Sequence, residues 1–254
     1  MALREKQTGG IGEFVKTIIY AGLIAVGIHT FLFEPFYIPS GSMVPTLLVG
    51  DYIIVNKFAY GYSRFSLPFA PDVFSGRILG STPKRGTVIV FRPPGDLSED
   101  YIKRVIGLPG DTVQVKEGQL YINGKLVPRT YEGQYIDTSS GAPMPTKYYQ
   151  EDLPGGVDHP IIKVTNLPED FSGVDPNNTP LYVVPPGHLF VMGDNRDNSE
   201  DSRFLDGPVG YVPIQNVVGP ADLIFFSINL THPLWEVWQW PFEIRWGRLF
   251  HSIK

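Results

Sequence analysis

Near its start the chain carries an uncharged run, Ile18 to Phe33, that few soluble folds can accommodate. Phe14 and Val15 extend it to about twenty residues if Lys16 bends its ammonium outward, and a helix of that length spans roughly 30 Å of hydrocarbon. A removable signal would place a small-x-small pair after the apolar run. Ala25 and Gly27 stand in its middle, so a retained anchor is expected. Arg4, Lys6 and Lys16 flank its start, whereas Glu34 and Pro35 follow its end. By the positive-inside rule this puts residues 1–13 in the cytoplasm, a single transmembrane helix over 14–33, and residues 34–254 on the far side. His29 falls within the span, and with no visible partner it reads more simply as packing than as a proton carrier.

Beyond the anchor the chain reads as β structure. Its 254 residues include 24 Pro and 27 Gly, which favour many turns over long helices. Short apolar alternations predict strands at Tyr52–Asn56, Thr87–Phe91, Thr112–Val115 and Leu189–Met192. Between Leu120 and Val127, Asn123-Gly124 predicts a hairpin, because that pair supplies the positive φ angles of a type I′ turn. From about Tyr131 to Asn178 the periodicity weakens among Pro, Gly, Asp, Asn and Ser, as in an inserted smaller β and loop subdomain placed within about 115–184. The expected fold class is mainly β: an N-terminal transmembrane helix, then an antiparallel β-sheet domain carrying that insertion. The formal charge of −5 argues against a nucleic-acid partner, and the absence of Cys removes disulfides, thiolate metal sites and thiol nucleophiles together.

Three polar segments can carry chemistry. In Pro39-Ser40-Gly41-Ser42-Met43-Val44-Pro45-Thr46, glycine lets the chain turn between two hydroxyls while prolines stiffen both sides, which suits an exposed nucleophile or a plain loop. In Asp100 to Asp111, strand alternation separates Lys103 from Arg104, so one of the two shares a face with apolar neighbours. A lysine so buried loses proton affinity and can act as a base; a pair of surface cations is the plainer alternative. The third segment, Gly193 to Arg203, suggests calcium, but an EF-hand register from Asp194 puts Ser199 where Gly is required and Leu205 where Glu is required. A loop knitted by Asp–Arg pairs and Asn side chains is the better account. The five histidines, His29, His159, His188, His232 and His251, form no helical metal-ligand pair. A Ser-His-Asp triad has no sequence signature, so His159 and His188 stay open, although neither lies near the Ser42 turn. Neither a G-x-S-x-G elbow nor an S-x-x-K motif surrounds Ser42.

Taken in order behind an apolar span, Pro39-Ser-Gly-Ser-Met-x-Pro-Thr-Leu with Gly50-Asp51, Tyr101-Ile-Lys-Arg-x-x-Gly-Leu-Pro-Gly-Asp111 and Gly193-Asp-Asn-Arg-Asp-Asn-Ser-x-Asp-Ser-Arg203 resemble bacterial signal peptidase I, a family of membrane-anchored serine-lysine proteases of the S26 type. The resemblance covers the anchor, roughly Glu34 to Gln114, and Pro185 to Leu223. It implies that Ser42 is the nucleophile and Lys103 its general base, with Ser40 donating to the oxyanion hole beside the Ser42 N–H. Ser199 would orient the lysine, and Asp201 with Arg203 would form a supporting ion pair. Phe36, Ile38, Ile53, Val90 and Ile102, with Tyr101 and Met43 near the first subsite, would line shallow pockets for a small-x-small cleavage sequence. Lys57 is the other lysine near the turn, and its segment matches the family's without being its base. The dyad implies neither cofactor nor metal. The implied partners are signal-peptide-bearing preproteins and membrane lipid, met at the outer face of a bacterial inner membrane. A maturation peptidase dedicated to one substrate is the nearer alternative, and a catalytically dead tethered adaptor the further one. All four Trp lie between Leu234 and Phe250, a segment that suits the headgroup region.

Overall fold

The structure is a computed structural model that describes residues 10–67, 70–72, 74–164, 175–229, 235–236 and 238–253. It opens with α1 (Ile11–Phe31), which starts before the expected span and ends short of it. Phe33 instead begins β1 (Phe33–Tyr37), because Pro35 cannot continue a helix but is tolerated in an edge strand. Every described side chain of α1 from Ile11 to Ile24 is exposed. Among the described residues no helix is long and apolar enough to cross a membrane. The side chains of Ala25, Val26, Ile28, His29 and Thr30 lie outside the description.

The following strands are β2 (Asp51–Asn56), β3 (Tyr62–Ser63), β4 (Arg77–Ile78), β5 (Val88–Phe91), β6 (Tyr101–Gly107), β7 (Thr112–Lys116), β8 (Gln119–Ile122) and β9 (Lys125–Leu126). Then come β10 (Arg129–Asp137), β11 (Met144–Leu153), β12 (Val157–Val164), β13 (Tyr182–Val183), β14 (His188–Met192), β15 (Val212–Pro213), β16 (Val217–Ser227), the short helix α2 (Trp240–Glu243) and β17 (His251–Ser252). The fold is mainly β, and the strands just named pair with one another in antiparallel fashion.

The largest sheet runs β1-β2-β16-β5-β6-β14-β15, with β17 on β16. Its middle strands depart from simple alternation. Val88, Ile89, Val90 and Phe91 are all buried, the valines in one core cluster and Ile89 with Phe91 in another. Phe36 of β1 and Ile102 of β6, well separated in strand order, pack against the same cluster, so the sheet curls strongly and brings its distant strands together. The predicted hairpin forms between β8 and β9, with φ of 52° at Asn123 and 73° at Gly124. The 131–178 stretch is more regular than its composition suggests. It supplies most of a sheet ordered β10-β11-β12, whose polar exposed residues and Pro160 mask the strand signal; residues 165–174 lie outside the description.

Candidate active site

Ser42 lies one short strand and a turn beyond α1. Val44 N–H donates to the Gly41 carbonyl at 3.1 Å and Leu47 N–H to the Met43 carbonyl at 2.9 Å, so residues 41–47 wind tightly. The Gly193–Arg203 segment holds this turn from one side. Asn195 donates from its backbone N–H to the Ser42 carbonyl and from Nδ2 to the Gly41 carbonyl, both at 3.1 Å. Gly193 is required for the approach, since a Cβ there would lie 2.5 Å from the Ser42 carbonyl oxygen and 2.3 Å from Ser199 Oγ.

Lys103 reaches the turn from the middle of β6. Its Nζ lies 2.8 Å from Ser42 Oγ and 3.0 Å from the Ile102 carbonyl. Burial lowers the proton affinity of Lys103 to a pKa of about 8, outweighing Asp201, Glu200 and Asp194, which pull it upward. Both members of the basic pair are buried, not one. Arg104 turns to the opposite side, where Asp194 accepts from its Nε at 2.9 Å and its Nη2 at 2.7 Å. Lys57 is also buried, but it pairs with Glu34 at 3.0 Å and stands apart from the cleft.

The cleft in front of Ser42 has a volume of about 410 Å³. Ser40, Ser42 and Lys103 line it together with Phe36, Ile38, Ile53, Val90, Tyr101 and Ile102. Met43 does not reach it: the side chain is fully buried against Ile38, Leu47 and Ile53 in the core beneath. The Asp201–Arg203 pair is buried and doubly bonded, at 2.8 and 2.9 Å, and Asp201 also accepts from Gly193 N–H at 3.0 Å. Among the described residues buried Ser199 Oγ makes no hydrogen bond to Lys103, so the bond that the resemblance implies is not made here.

Two supports were not read from the sequence. The first is a buried chain of charges behind the turn. His159 lies 3.3 Å from Asp194 on one side and 3.3 Å from Glu151 on the other, and Arg196 forms a fork with Glu151. Burial opposes the charge on Glu151, but Arg196 and His159 prevail and hold it down to about 2; Arg104 and His159 hold Asp194 lower still. The second is the C-terminal segment. Fully buried Asp51 accepts from Leu48 N–H at 2.8 Å, Ser227 Oγ at 2.6 Å and Arg248 Nη2 at 2.5 Å. Arg248 also reaches the Thr46 carbonyl, and Arg245 the Val49 carbonyl, each at 2.9 Å. Asp51 was visible as part of a motif, but no local pattern marks its arginine partners about two hundred residues away.

A serine hydroxyl 2.8 Å from a buried amine, in a cleft whose described lining holds no histidine, has the parts that serine-lysine hydrolysis requires. The chain belongs to the signal peptidase family, peptidase S26, whose model matches residues 11–226, and is a serine endopeptidase of that family. The signal peptidase I of Rickettsia typhi is 38% identical over 243 residues, covering 91% of this chain and 89% of that protein. That of Rickettsia canadensis is 38% identical over 251 residues, covering 94% and 92%. A crystal structure of a signal peptidase I from Enterococcus faecalis is 26% identical, covers 55% of this chain and 97% of its own, and superposes with a TM-score of 0.32.

Proposed function

We propose that the enzyme removes signal peptides from exported preproteins by a Ser42–Lys103 dyad, cutting after a small-x-small sequence. The observation that carries this reading is the 2.8 Å approach of buried Lys103 Nζ to Ser42 Oγ at the wall of a cleft with an apolar floor. Neutral Lys103 takes the Ser42 proton as Oγ attacks the scissile carbonyl. The protonated amine then gives that proton to the leaving nitrogen, and the same amine activates the water that releases the acyl group. Ser40, exposed at the cleft mouth, and the Ser42 N–H would receive the oxyanion. Ile38, Ile53 and Val90 form a closed floor, which accepts an alanine methyl and rejects bulk by overlap.

Because only the neutral amine is a base, kcat/KM for preprotein cleavage is expected to rise with pH around a midpoint near 8, the pKa of Lys103. Chelators are expected to leave it unchanged. A profile that is flat from pH 6 to 9, or activity lost to EDTA, overturns the dyad.

We place the site at the outer surface of the bacterial inner membrane, anchored by α1. A helix whose described side chains are apolar nearly all round and exposed needs an apolar surrounding, which supports this. The C-terminal segment supports it too. Its backbone and arginines dock on the β body, whereas Trp235, Trp238 and Trp246 are 75%, 64% and 63% exposed, and Phe242 and Phe250 are exposed as well. Truncating this segment would also remove Arg245 and Arg248 from the nucleophile loop, so a spectroscopic test is cleaner. Since every Trp of the chain lies here, its fluorescence reports on this segment alone. In vesicles with brominated acyl chains the emission is expected to be quenched; unquenched emission characteristic of water-exposed indole overturns membrane contact.

A further inference from the structure

An oxyanion donor works only if its N–H points to where charge develops, and a peptide N–H cannot turn without the carbonyl of the same planar unit. The Ser42 N–H shares its peptide with the Gly41 carbonyl. That carbonyl is held twice, by Val44 N–H and by Asn195 Nδ2, each at 3.1 Å, while the Ser42 N–H has no hydrogen-bond partner among the described residues. Asn195 is buried, and the two ends of its amide have nearly the same shape. Only the NH2 end can give a hydrogen to Gly41. A second contact selects that end: Nδ2 also donates to Asp137 Oδ2 at 2.8 Å, and a carboxylate accepts without donating. Asp137 is 3% exposed and closes β10, where the β10–β11 hairpin turns. Its other oxygen accepts from Ser139 N–H at 2.9 Å. Ser139 thereby packs on the nucleophile turn so closely that a Cβ on Gly41 would lie 1.9 Å from Ser139 Oγ.

We propose that Asp137 is a positioning residue for the oxyanion hole: through Asn195 it fixes the Gly41–Ser42 peptide plane, and with it the direction of the Ser42 N–H. The inference rests on the reading of Ser42 as nucleophile and of its own N–H as oxyanion donor. It gives the β10-β11-β12 sheet a part in the chemistry, although none of its residues lines the cleft.

Asp137→Asn keeps the shape but lets the two amides pair either way round. Per site counted by acylation of Ser42 to completion, kcat is expected to fall about 10- to 100-fold, with KM changed by less than about threefold. The pH midpoint stays in place, because Lys103 is untouched. The exchange of Asp137→Asn together with Asn195→Asp restores a hydrogen bond between hairpin and loop but leaves no hydrogen for the Gly41 carbonyl. A positioning role predicts that kcat stays low in the exchanged protein even where Tm recovers. Recovery of kcat in the exchange, a single variant within about twofold of the native kcat, or a loss carried by KM would each overturn the proposal. Activity surviving in Ser42→Ala would instead overturn the reading beneath it, so the two failures are distinguishable.

Discussion

Lys103→Met is expected to cut preprotein cleavage at least ~10³-fold while making the folded protein more stable. The loss follows from removing the amine 2.8 Å from Ser42 Oγ that serves as base in the proposed dyad, and Ser42→Ala is expected to match it, since in that dyad the two groups act as a unit. The gain in stability follows from burial. Lys103 has a pKa of about 8 when folded against an ordinary 10.5, so below pH 8 the folded protein carries a desolvated ammonium that the unfolded chain keeps in water. By linkage that penalty is full below about pH 8 and fades as pH rises from 8 to 10.5. Methionine has the length without the charge, which at pH 6 is expected to raise stability by about 2–3 kcal/mol. Thermal melts at pH 6 and above pH 10 check this: a gain that does not shrink at high pH contradicts a buried charge as its source. A double loss of activity and stability would mean that Lys103 is structural.

The largest destabilisation is expected at Asp194. Its carboxylate meets Arg104 through two bonds, accepts from Thr46 Oγ1 at 2.5 Å and lies beside His159, all away from water. Asp194→Ala takes the doubly bonded carboxylate away from a fully buried guanidinium, and breaking a buried pair from one side costs about 3–5 kcal/mol. For a chain of this size that is a fall in Tm of about 10 °C. A melt within about 2 °C of the native protein would show the network to be dispensable. Removing both members with apolar replacements, Asp194→Leu with Arg104→Met, is expected to recover part of the loss, because no uncompensated charge remains. The acid limb follows the same logic. Glu151 is held at about 2 against an ordinary 4.5, so its contribution is full above about pH 4.5 and is lost as pH falls toward 2.

What could be read in advance was local. The Asn123-Gly124 hairpin is dictated by φ angles that only such residues adopt easily, and it forms where the dipeptide stands. The Ser-Gly-Ser turn, the Lys-Arg strand and the Asp-rich loop were visible because each packs its special residues within a dozen positions. The β10-β11-β12 sheet was read only as a weakly periodic insertion, because its strands expose polar residues on one face and carry charges inside that are stable only once paired. Met43 shows the same limit from the other side. A residue next to Ser42 in sequence points into the core, since residues 41–47 wind and neighbouring side chains leave in different directions.

The sequence by itself determined the chemistry available: a hydroxyl on a glycine turn, a lysine in an apolar strand, no thiol and an apolar N-terminal run, all properties of residue type and near spacing. Only the tertiary structure decided which lysine meets the serine, since both are buried but Lys57 lies against Glu34 and Lys103 against Ser42. It also decided that Asp51, Arg245 and Arg248 brace one side of the Ser42 loop while Asp194, Asn195 and Asp137 brace the other. Those partners are scattered between residues 51 and 248 of the chain. Desolvation and long-range pairing depend on what the curled sheet excludes from water, and no stretch of sequence encodes that locally.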